Sequence, residues 1–342
     1  MTGMDYADLL TVELSRPNLG NPRVVDLFAG CGGLALGFES AGFETVGFEM
    51  DSDAASTYRK NLAGECHETV LTAETNLPQA PVVIGGPPCQ PFSVGGKQAG
   101  VRDSRDGFPA FLSAVERLQP DLFLFENVRG MMYRNRAYLD EIMRELQKAG
   151  YVVEVRLLNA VDFGVPQNRE RVICVGHRGY FTWPTAKRER VSAGTALGQL
   201  AEDVPTGARF LTPSMDAYIA RYEKTSKCVT PRDLHLDRPA RTLTTRNLAG
   251  ATSDMHRIKL PDGRRRMLQV REAARLQSFP DWYEFMGSES SKMKQIGNSV
   301  APLFAKSLAL AVREYLESDQ RLSPDEVAAR RRSHSVQETL SV

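Results

Sequence analysis

From residue 23 to residue 176, short apolar runs alternate with stretches whose apolar positions recur every three or four residues. Arg23-Val24-Val25-Asp26-Leu27-Phe28 reads as a strand, and Leu34, Leu36, Phe38 and Ala41 mark a helix closed by Gly42. Residues 45–49 read as a second strand and 51–61 as a helix with Asp51 near its cap. Segment 62–80 is less regular and leads to the apolar run Val82-Val83-Ile84. Phe108, Phe111, Leu112, Val115 and Leu118 give a helix one apolar face, and Leu122-Phe123-Leu124-Phe125 is a strand. Leu139, Ile142 and Leu146 mark a further helix closed by Gly150, before strands at 151–158 and 172–175. This alternation predicts an α/β fold with a doubly wound parallel sheet and right-handed crossovers.

The pattern breaks after Gly176. From His177 to about Met267, Gly, Pro, Thr and Arg dominate and no helical period persists, which predicts a second, smaller and irregular domain. Regularity returns at 270–280, and Lys294-Gln295-Ile296-Gly297-Asn298-Ser299-Val300-Ala301-Pro302 opens a last helix to about residue 316. The expected divisions are a lead at 1–21, a larger domain at 22–176, the smaller one at 177–267, a return at 268–317 and a disordered tail at 318–342. There are no internal repeats.

Two glycine-rich turns carry candidate chemistry. The first, Ala29-Gly30-Cys31-Gly32-Gly33-Leu34-Ala35, puts a G-x-G-x-x-A pattern between a strand and a helix. Glycines there let backbone amides at a helix N-terminus approach a ligand closely. Glu49, at the end of the next strand, stands where a carboxylate accepts hydrogen bonds from ribose hydroxyls, so strand, helix and Glu49 together point to an adenosine-containing ligand. The second turn, Gly85-Gly86-Pro87-Pro88-Cys89-Gln90-Pro91-Phe92-Ser93, holds one cysteine in a rigid frame, because proline fixes φ and removes a donor. By itself it fits a buried structural cysteine or a nucleophile equally. The glycine-rich, charged stretch 94–107 that follows reads as a surface loop, either closing over substrate or without a role.

Composition narrows the setting. No apolar run is long enough to span a bilayer, and residues 1–21 lack the basic start and apolar core of a signal peptide. Five cysteines without a C-x-x-C pair suggest neither a disulfide framework nor a metal site, so a reducing, cytoplasmic compartment is expected. The net charge is only +1, yet residues 221–275 hold 14 Lys and Arg against 6 Asp and Glu. That local excess, with Arg264-Arg265-Arg266 beside a Pro-Asp-Gly turn, reads as a phosphate-tracking surface; a solvated face is the plainer alternative.

In order along the chain, the stretches at 26–33, 86–93, 126–128 (Glu-Asn-Val), 167–171 (Gln-x-Arg-x-Arg), 271–280 and 295–302 resemble the DNA (cytosine-5) methyltransferases. The likeness is strongest to the compact bacterial enzymes of restriction–modification systems, and it spans most of the chain except the lead, residues 177–240 and the tail. It implies a catalytic domain of the S-adenosylmethionine-dependent methyltransferase type, a target-recognition domain at 177–267, and a C-terminal part that completes the catalytic domain. S-Adenosylmethionine is the implied cofactor, with Phe28, Gly30, Gly32, Gly33, Glu49, Met50, Thr69, Pro88, Asn298 and Val300 as its neighbours and Phe28 beside the adenine face. The family's usual adenine-binding Asp is missing, and Glu68 stands at the matching place. Double-stranded DNA is the implied substrate, with a restriction endonuclease of the same specificity as functional partner, no metal, and a monomeric chain acting at the bacterial nucleoid.

The chemistry fits those residues. Cytosine C5 is a poor nucleophile, and a thiolate added at C6 turns it into an enamine-like carbon able to attack a sulfonium methyl. Cys89 is assigned that addition, and Glu126, ending an apolar strand, is assigned the acid that meets charge at N3. Arg171 and Arg169 alternate along a strand edge and are expected on one face. By resemblance Arg171 steadies the base carbonyl and Glu126, while Arg169 and Gln167 help hold the active-site loop and backbone; a structural ion pair for Arg169 is the alternative. The target base must be flipped out of the duplex. Gln90, Ser93, Lys97 and Arg105 are expected behind it, and Arg241, with Thr245 and Arg246 of the adjoining stretch Thr242-Leu243-Thr244-Thr245-Arg246, on the recognition side. His235 and His256 are expected at the surface or on phosphates rather than on a metal.

Two rival readings remain. An RNA cytosine-5 methyltransferase of the transfer-RNA type usually carries Cys-Phe-Thr in its variable region, where this chain has Cys228-Val229-Thr230. A non-catalytic DNA-binding regulator would tend to lose the nucleophile, whereas Cys89, Glu126 and Arg171 are all present.

Overall fold

The computed structural model describes residues 4–15, 22–88, 106–186, 189–225, 232–249, 254–318, 322 and 325–327. Among them the strands follow as β1 (Arg23–Leu27), β2 (Glu44–Glu49), β3 (Glu65–Glu68), β4 (Val82–Gly85), β5 (Leu122–Val128), β6 (Val152–Asn159), β7 (Gln167–Asn168), β8 (Glu170–His177), β9 (Ala240–Arg241), β10 (Arg257–Lys259) and β11 (Arg265–Met267). The chain divides into two compact units. One comprises 16–159, 170–185 and 305–342, and the other 1–15, 160–169 and 186–304. Residues 268–304 thus group with 186–267, and only the stretch from 305 onward groups with the sheet.

The first unit is a seven-stranded sheet in the order β3-β2-β1-β4-β5-β8-β6. Its first five strands are parallel, as the strand–helix alternation requires. The expectation of a parallel sheet fails at β8, which runs antiparallel to both β5 and β6. Only ten residues separate β6 from β8, too few for a crossover, and an antiparallel return needs no more. On one face, Val25, Val83, Phe123 and Phe125 pack against the helices Phe108–Leu118 and Arg136–Lys148. Phe125 receives the ring edges of Phe108 and Phe111 at centroid distances of 5.2 and 5.5 Å. Each such buried ring contributes about 1.5–3 kcal/mol. On the other face, the helix Gly33–Ser40 approaches Pro302–Glu317 so closely that a Cβ at Gly37 would lie 2.4 Å from Ala305.

The second unit is less regular but contains more helix than its sequence suggests. Tyr6–Glu13, in the expected lead, is a helix capped by Asp5, and the Tyr6 hydroxyl donates to Gly164 O at 3.0 Å. Pro213–Thr225 is a helix where no helical period is visible. Its inner side carries Ile219, which packs with Leu211 and Met255, alongside Asp216 and Glu223. Asp216 pairs with Arg265 and Glu223 with Arg257, both at 3.0 Å, so charged pairs occupy positions that apolar residues would otherwise mark. The expected single last helix is two. Glu289–Asn298 ends in extended backbone at Ser299, and Pro302, which lacks an amide donor, opens the next.

Candidate active site

In the sheet unit, candidate residues gather at the carboxyl ends of the parallel strands, where open α/β sheets hold their ligands. β1 ends at Leu27 and the chain turns through Phe28, Gly30 and Gly32, all at positive φ (58°, 56° and 83°). Gly32 caps the helix that begins at Gly33. Glu49, at the end of β2, secures this turn from the side. Its Oε2 accepts from Gly30 N and its Oε1 from Asp51 N, each at 2.8 Å. A Cβ on Gly30 would meet nothing within 4 Å, so the loop faces open space. Thr69 N donates to Glu49 O at 2.8 Å, bringing the end of β3 beside the same carboxylate residue. Met50 and Val70 are 70% and 66% exposed there, an apolar pair beyond two strand ends that the interior leaves uncovered. Val70 carried no signal in the sequence. Glu68 is turned toward Arg59, at 3.4 Å.

Phe28 adopts left-handed backbone, a cost of about 1 kcal/mol or more for a bulky residue. Its ring lies over Gly107, where a Cβ would fall 2.8 Å from Phe28 Cζ and 2.5 Å from Pro88 Cδ. Gly107 N donates to Pro88 O at 3.0 Å. Residues 88 and 107 are therefore joined directly, and Asp106, beside them, accepts from the Tyr138 hydroxyl. Cys89, Gln90, Ser93, Lys97 and Arg105, and with them most of the 94–107 stretch, lie outside the described residues.

Glu126 and Arg171 meet across the β5–β8 ladder, with Arg171 Nε 2.7 Å from Glu126 Oε1. Their side chains are 11% and 10% exposed. Burial lowers the Arg171 pKa, against the attraction of Glu126. The carboxylate also faces the entrance of the Gly-Pro-Pro turn: Glu126 Oε2 is 3.8 Å from where a Cβ on Gly86 would be. Asn127, quoted in the motif but given no role from sequence, joins the same parts. Its Nδ2 donates to Pro87 O at 3.0 Å while its Oδ1 accepts from Val128 N. Of the remaining cysteines, Cys174 is fully buried, and burial pushes the Cys31 and Cys66 thiols up to about 12.

Asp26 is a second residue the sequence did not single out. It points off β1 into the interior with 1% exposure, and neither carboxyl oxygen has a hydrogen-bond partner. Burial, then the nearby Glu49, raises its pKa well above the ordinary carboxylate value.

In the second unit, Gln167 and Arg169 form a hub. Arg169 donates to Leu243 O at 2.7 Å, Gly297 O at 3.1 Å and Ser299 O at 2.9 Å. Gln167 donates to Gln277 Oε1 at 2.6 Å and accepts from Leu243 N at 2.8 Å. The strand is interrupted at Arg169, with β7 pairing to β9 and β8 starting at Glu170, and Arg169 serves backbone carbonyls. Thr245 Oγ1 donates to Asn298 Oδ1 at 2.9 Å, which links a residue expected on DNA to one expected on the cofactor. Val300 is buried. Arg246 is exposed, whereas Arg241 binds Asp254 at 2.9 Å and the carbonyls of Asp254 and Met255.

The basic stretch is less available than its count implied. Arg257 is fully buried between Glu223 and Asp233, Arg266 is buried on Glu272 at 2.8 Å, and Arg265 holds Asp216 and Asp233. Arg264 pairs with Asp262, and Arg275 with Asp281. Four of these acids, Glu223, Asp233, Asp262 and Glu272, belong to the stretch itself and two, Asp216 and Asp281, lie outside it, so several of its arginines are occupied although a positive excess remains. His256, expected at the surface, is 2% exposed, and burial with Arg241 nearby lowers its pKa to about 3. Among the described residues no group of three or more His, Cys, Asp or Glu could hold a metal ion, and no helix is long and apolar enough to cross a membrane.

Comparison with known proteins agrees with this arrangement. The model of the C-5 cytosine-specific DNA methylase family matches residues 22–314. The chain is 57% identical over 298 residues to the Type II methyltransferase M.AplI of Arthrospira platensis, covering 86% of each protein. It is 31% identical to the Type II methyltransferase M.NgoFVII of Neisseria gonorrhoeae, over 89% of this chain and 90% of that one. Its fold is shared by the methyltransferase EhMeth of Entamoeba histolytica (TM-score 0.67, 16% identity, 88% of this chain and 100% of that one). A mutant DNMT2 of Spodoptera frugiperda has it too (TM-score 0.65, 19% identity, 85% and 100%). The chain belongs to the C-5 cytosine-specific DNA methylase family.

Proposed function

We propose that this methylase transfers a methyl group from S-adenosylmethionine to C5 of a cytosine flipped out of a specific double-stranded DNA sequence. The observation that carries the reading is the buried Glu126–Arg171 pair, set over Gly86 and linked through Asn127 to Pro87, two residues before Cys89. The Cys89 thiolate adds to C6, and the electron pair displaced from the ring moves toward N3. Glu126 brings a proton to N3, and Arg171 fixes the carboxyl group and steadies the base carbonyl. Once C5 is methylated, loss of its proton to a base, with water as one candidate, re-forms the C5–C6 double bond and expels the Cys89 thiolate, and the N3 proton returns to Glu126.

The glycine turn, with Glu49 accepting two amides and open space over Gly30, suits a cofactor carrying ribose and adenine. Phe28, Gly30, Gly32, Gly33, Glu49, Met50, Glu68, Thr69 and Pro88 would hold it. Bound there, S-adenosylmethionine supplies the electrophilic methyl group. The named relatives are Type II methyltransferases. We therefore assign the chain to a restriction–modification system, protecting host DNA against an endonuclease of matching specificity.

DNA containing 5-fluorocytosine tests the mechanism, because fluorine at C5 cannot leave as a proton and the adduct is trapped. A denaturant-stable protein–DNA complex that requires S-adenosylmethionine is expected; its absence would overturn Cys89 attack. Bisulfite sequencing of DNA from cells expressing the chain should then reveal the site, whereas modification of transfer RNA alone would move the substrate to RNA.

A further inference from the structure

Beyond Glu126 and Asn127, the chain runs along the surface before the next helix begins. Val128 is 50% exposed and Tyr133 59% exposed, while Met131 between them is fully buried and anchors the turn. The short 3-10 helix Arg129–Met132 is closed by Tyr133 N and Asn135 N, which both donate to Gly130 O at 3.3 Å. The Arg129 guanidinium lies 5.1 Å from the Tyr133 ring centroid and pairs with Glu170 at 2.7 Å. Arg134 is exposed beside them. The turn is continuous with the candidate active site. Val128 is the ladder partner of Arg171, and Glu126 lies two residues upstream on the same strand. An exposed valine and tyrosine do not serve this unit's core, and they lie beside cations at the edge of a catalytic pair.

We propose that the turn at 128–134 is a DNA-contacting surface that holds the strand next to the flipped cytosine, with Tyr133 stacking on a base or sugar and Arg134 on a phosphate. This rests on the methyltransferase reading above and adds positioning residues to it. Flipping one nucleotide uncovers the faces of its neighbours, and an aromatic ring with an adjoining guanidinium is chemistry that covers such a face. The anchored backbone keeps the ring poised without help from the substrate, which lowers the ordering cost of binding.

The test is DNA affinity over a range of salt for the full chain and for Tyr133→Ala, Tyr133→Phe and Arg134→Ala. S-Adenosylmethionine affinity and adduct formation on 5-fluorocytosine DNA are followed in the same proteins. Tyr133→Ala should weaken DNA binding about tenfold, and Tyr133→Phe should restore most of it. Arg134→Ala should reduce the salt slope by about 0.9. The KM for DNA should rise, with the single-turnover rate at saturating DNA within about twofold of the parent and cofactor affinity unchanged. If the parent forms the adduct and these variants bind DNA with unchanged affinity and slope, the proposal fails and the methyltransferase reading stands. If the parent neither binds DNA nor forms an adduct, both fall.

Discussion

Arg171 Nε lies 2.7 Å from Glu126 Oε1, and both side chains are about nine-tenths buried at the end of β5. Such a pair is asymmetric in its consequences. Removing one member leaves a buried charge without compensation, at about 3–5 kcal/mol, while the intact pair contributes little net stability. Arg171→Ala and Glu126→Gln are therefore both expected to lower stability, and Glu126→Gln, which keeps the side chain's shape, also removes the group assigned to carry the proton. For Glu126→Gln, single-turnover methyl transfer should fall by about 10²–10⁴-fold with S-adenosylmethionine affinity retained. A Glu126→Gln rate near that of the parent would remove Glu126 from the chemistry.

Cys89→Ala should abolish methyl transfer to DNA while cofactor binding persists, because the thiolate supplies the nucleophile and not the ligand pocket. Tritium transfer from labelled S-adenosylmethionine, measured beside equilibrium cofactor binding, separates the two. Undiminished transfer would rule out the covalent route.

Two buried groups give stability opposite dependences on pH. Asp26 holds its proton in the folded protein well beyond the pH at which the unfolded chain releases it, near 3.9. The folded state then binds more protons, so this contribution is complete below about pH 4 and is lost as pH rises through the folded value. His256 behaves in the reverse sense. With its folded pKa near 3, the unfolded chain takes up a proton first, and stability falls as pH drops from about 6.5 toward 3. Urea unfolding of Asp26→Asn should lack the decline at rising pH, and that of His256→Asn the decline at falling pH. Parallel pH profiles for parent and variants would contradict both assignments.

Gly107→Ala should be disproportionately harmful for so small a change. The added methyl would sit 2.5 Å from Pro88 Cδ and 2.8 Å from Phe28 Cζ. Overpacking of this kind costs about 1–3 kcal/mol, and here it displaces the ring expected beside the adenine. Thermal unfolding and calorimetric titration with S-adenosylmethionine should show a lower midpoint and weaker binding. The neighbouring Gly130→Ala, which meets nothing within 4 Å, serves as control.

The sheet was legible because its strands are buried on both faces and its helices on one, so both periods are written in apolar residues. Glu49, Glu126 and Arg171 were legible because their motifs sit at strand ends, where the fold puts chemistry. Pro213–Thr225 was not, since Asp216 and Glu223 face inward toward arginines far along the chain. The same long-range pairing hid the fate of the basic stretch: counting charges cannot tell Arg257, closed in by two acids, from Arg246 in solvent. Asp26 was invisible because a carboxyl group within an apolar strand run carries no marker of which face it takes. The direction of β8 depended on a connection length that the strand pattern alone does not weigh.

The hub made by Gln167 and Arg169 has a consequence for how such proteins diversify. Of the carbonyls that Arg169 gathers, that of Leu243 lies inside the segment 177–267 and those of Gly297 and Ser299 lie after it. A graft cut at 177 and 267 would import a foreign residue 243 while keeping the resident 169, 297 and 299. Exchange of 177–267 between relatives would thus be constrained less by the borders of the graft than by one backbone position inside it. The ribosome faces the same order of events: Arg169 emerges 130 residues before its last acceptor, Ser299, so this hub closes only after the intervening segment has been made.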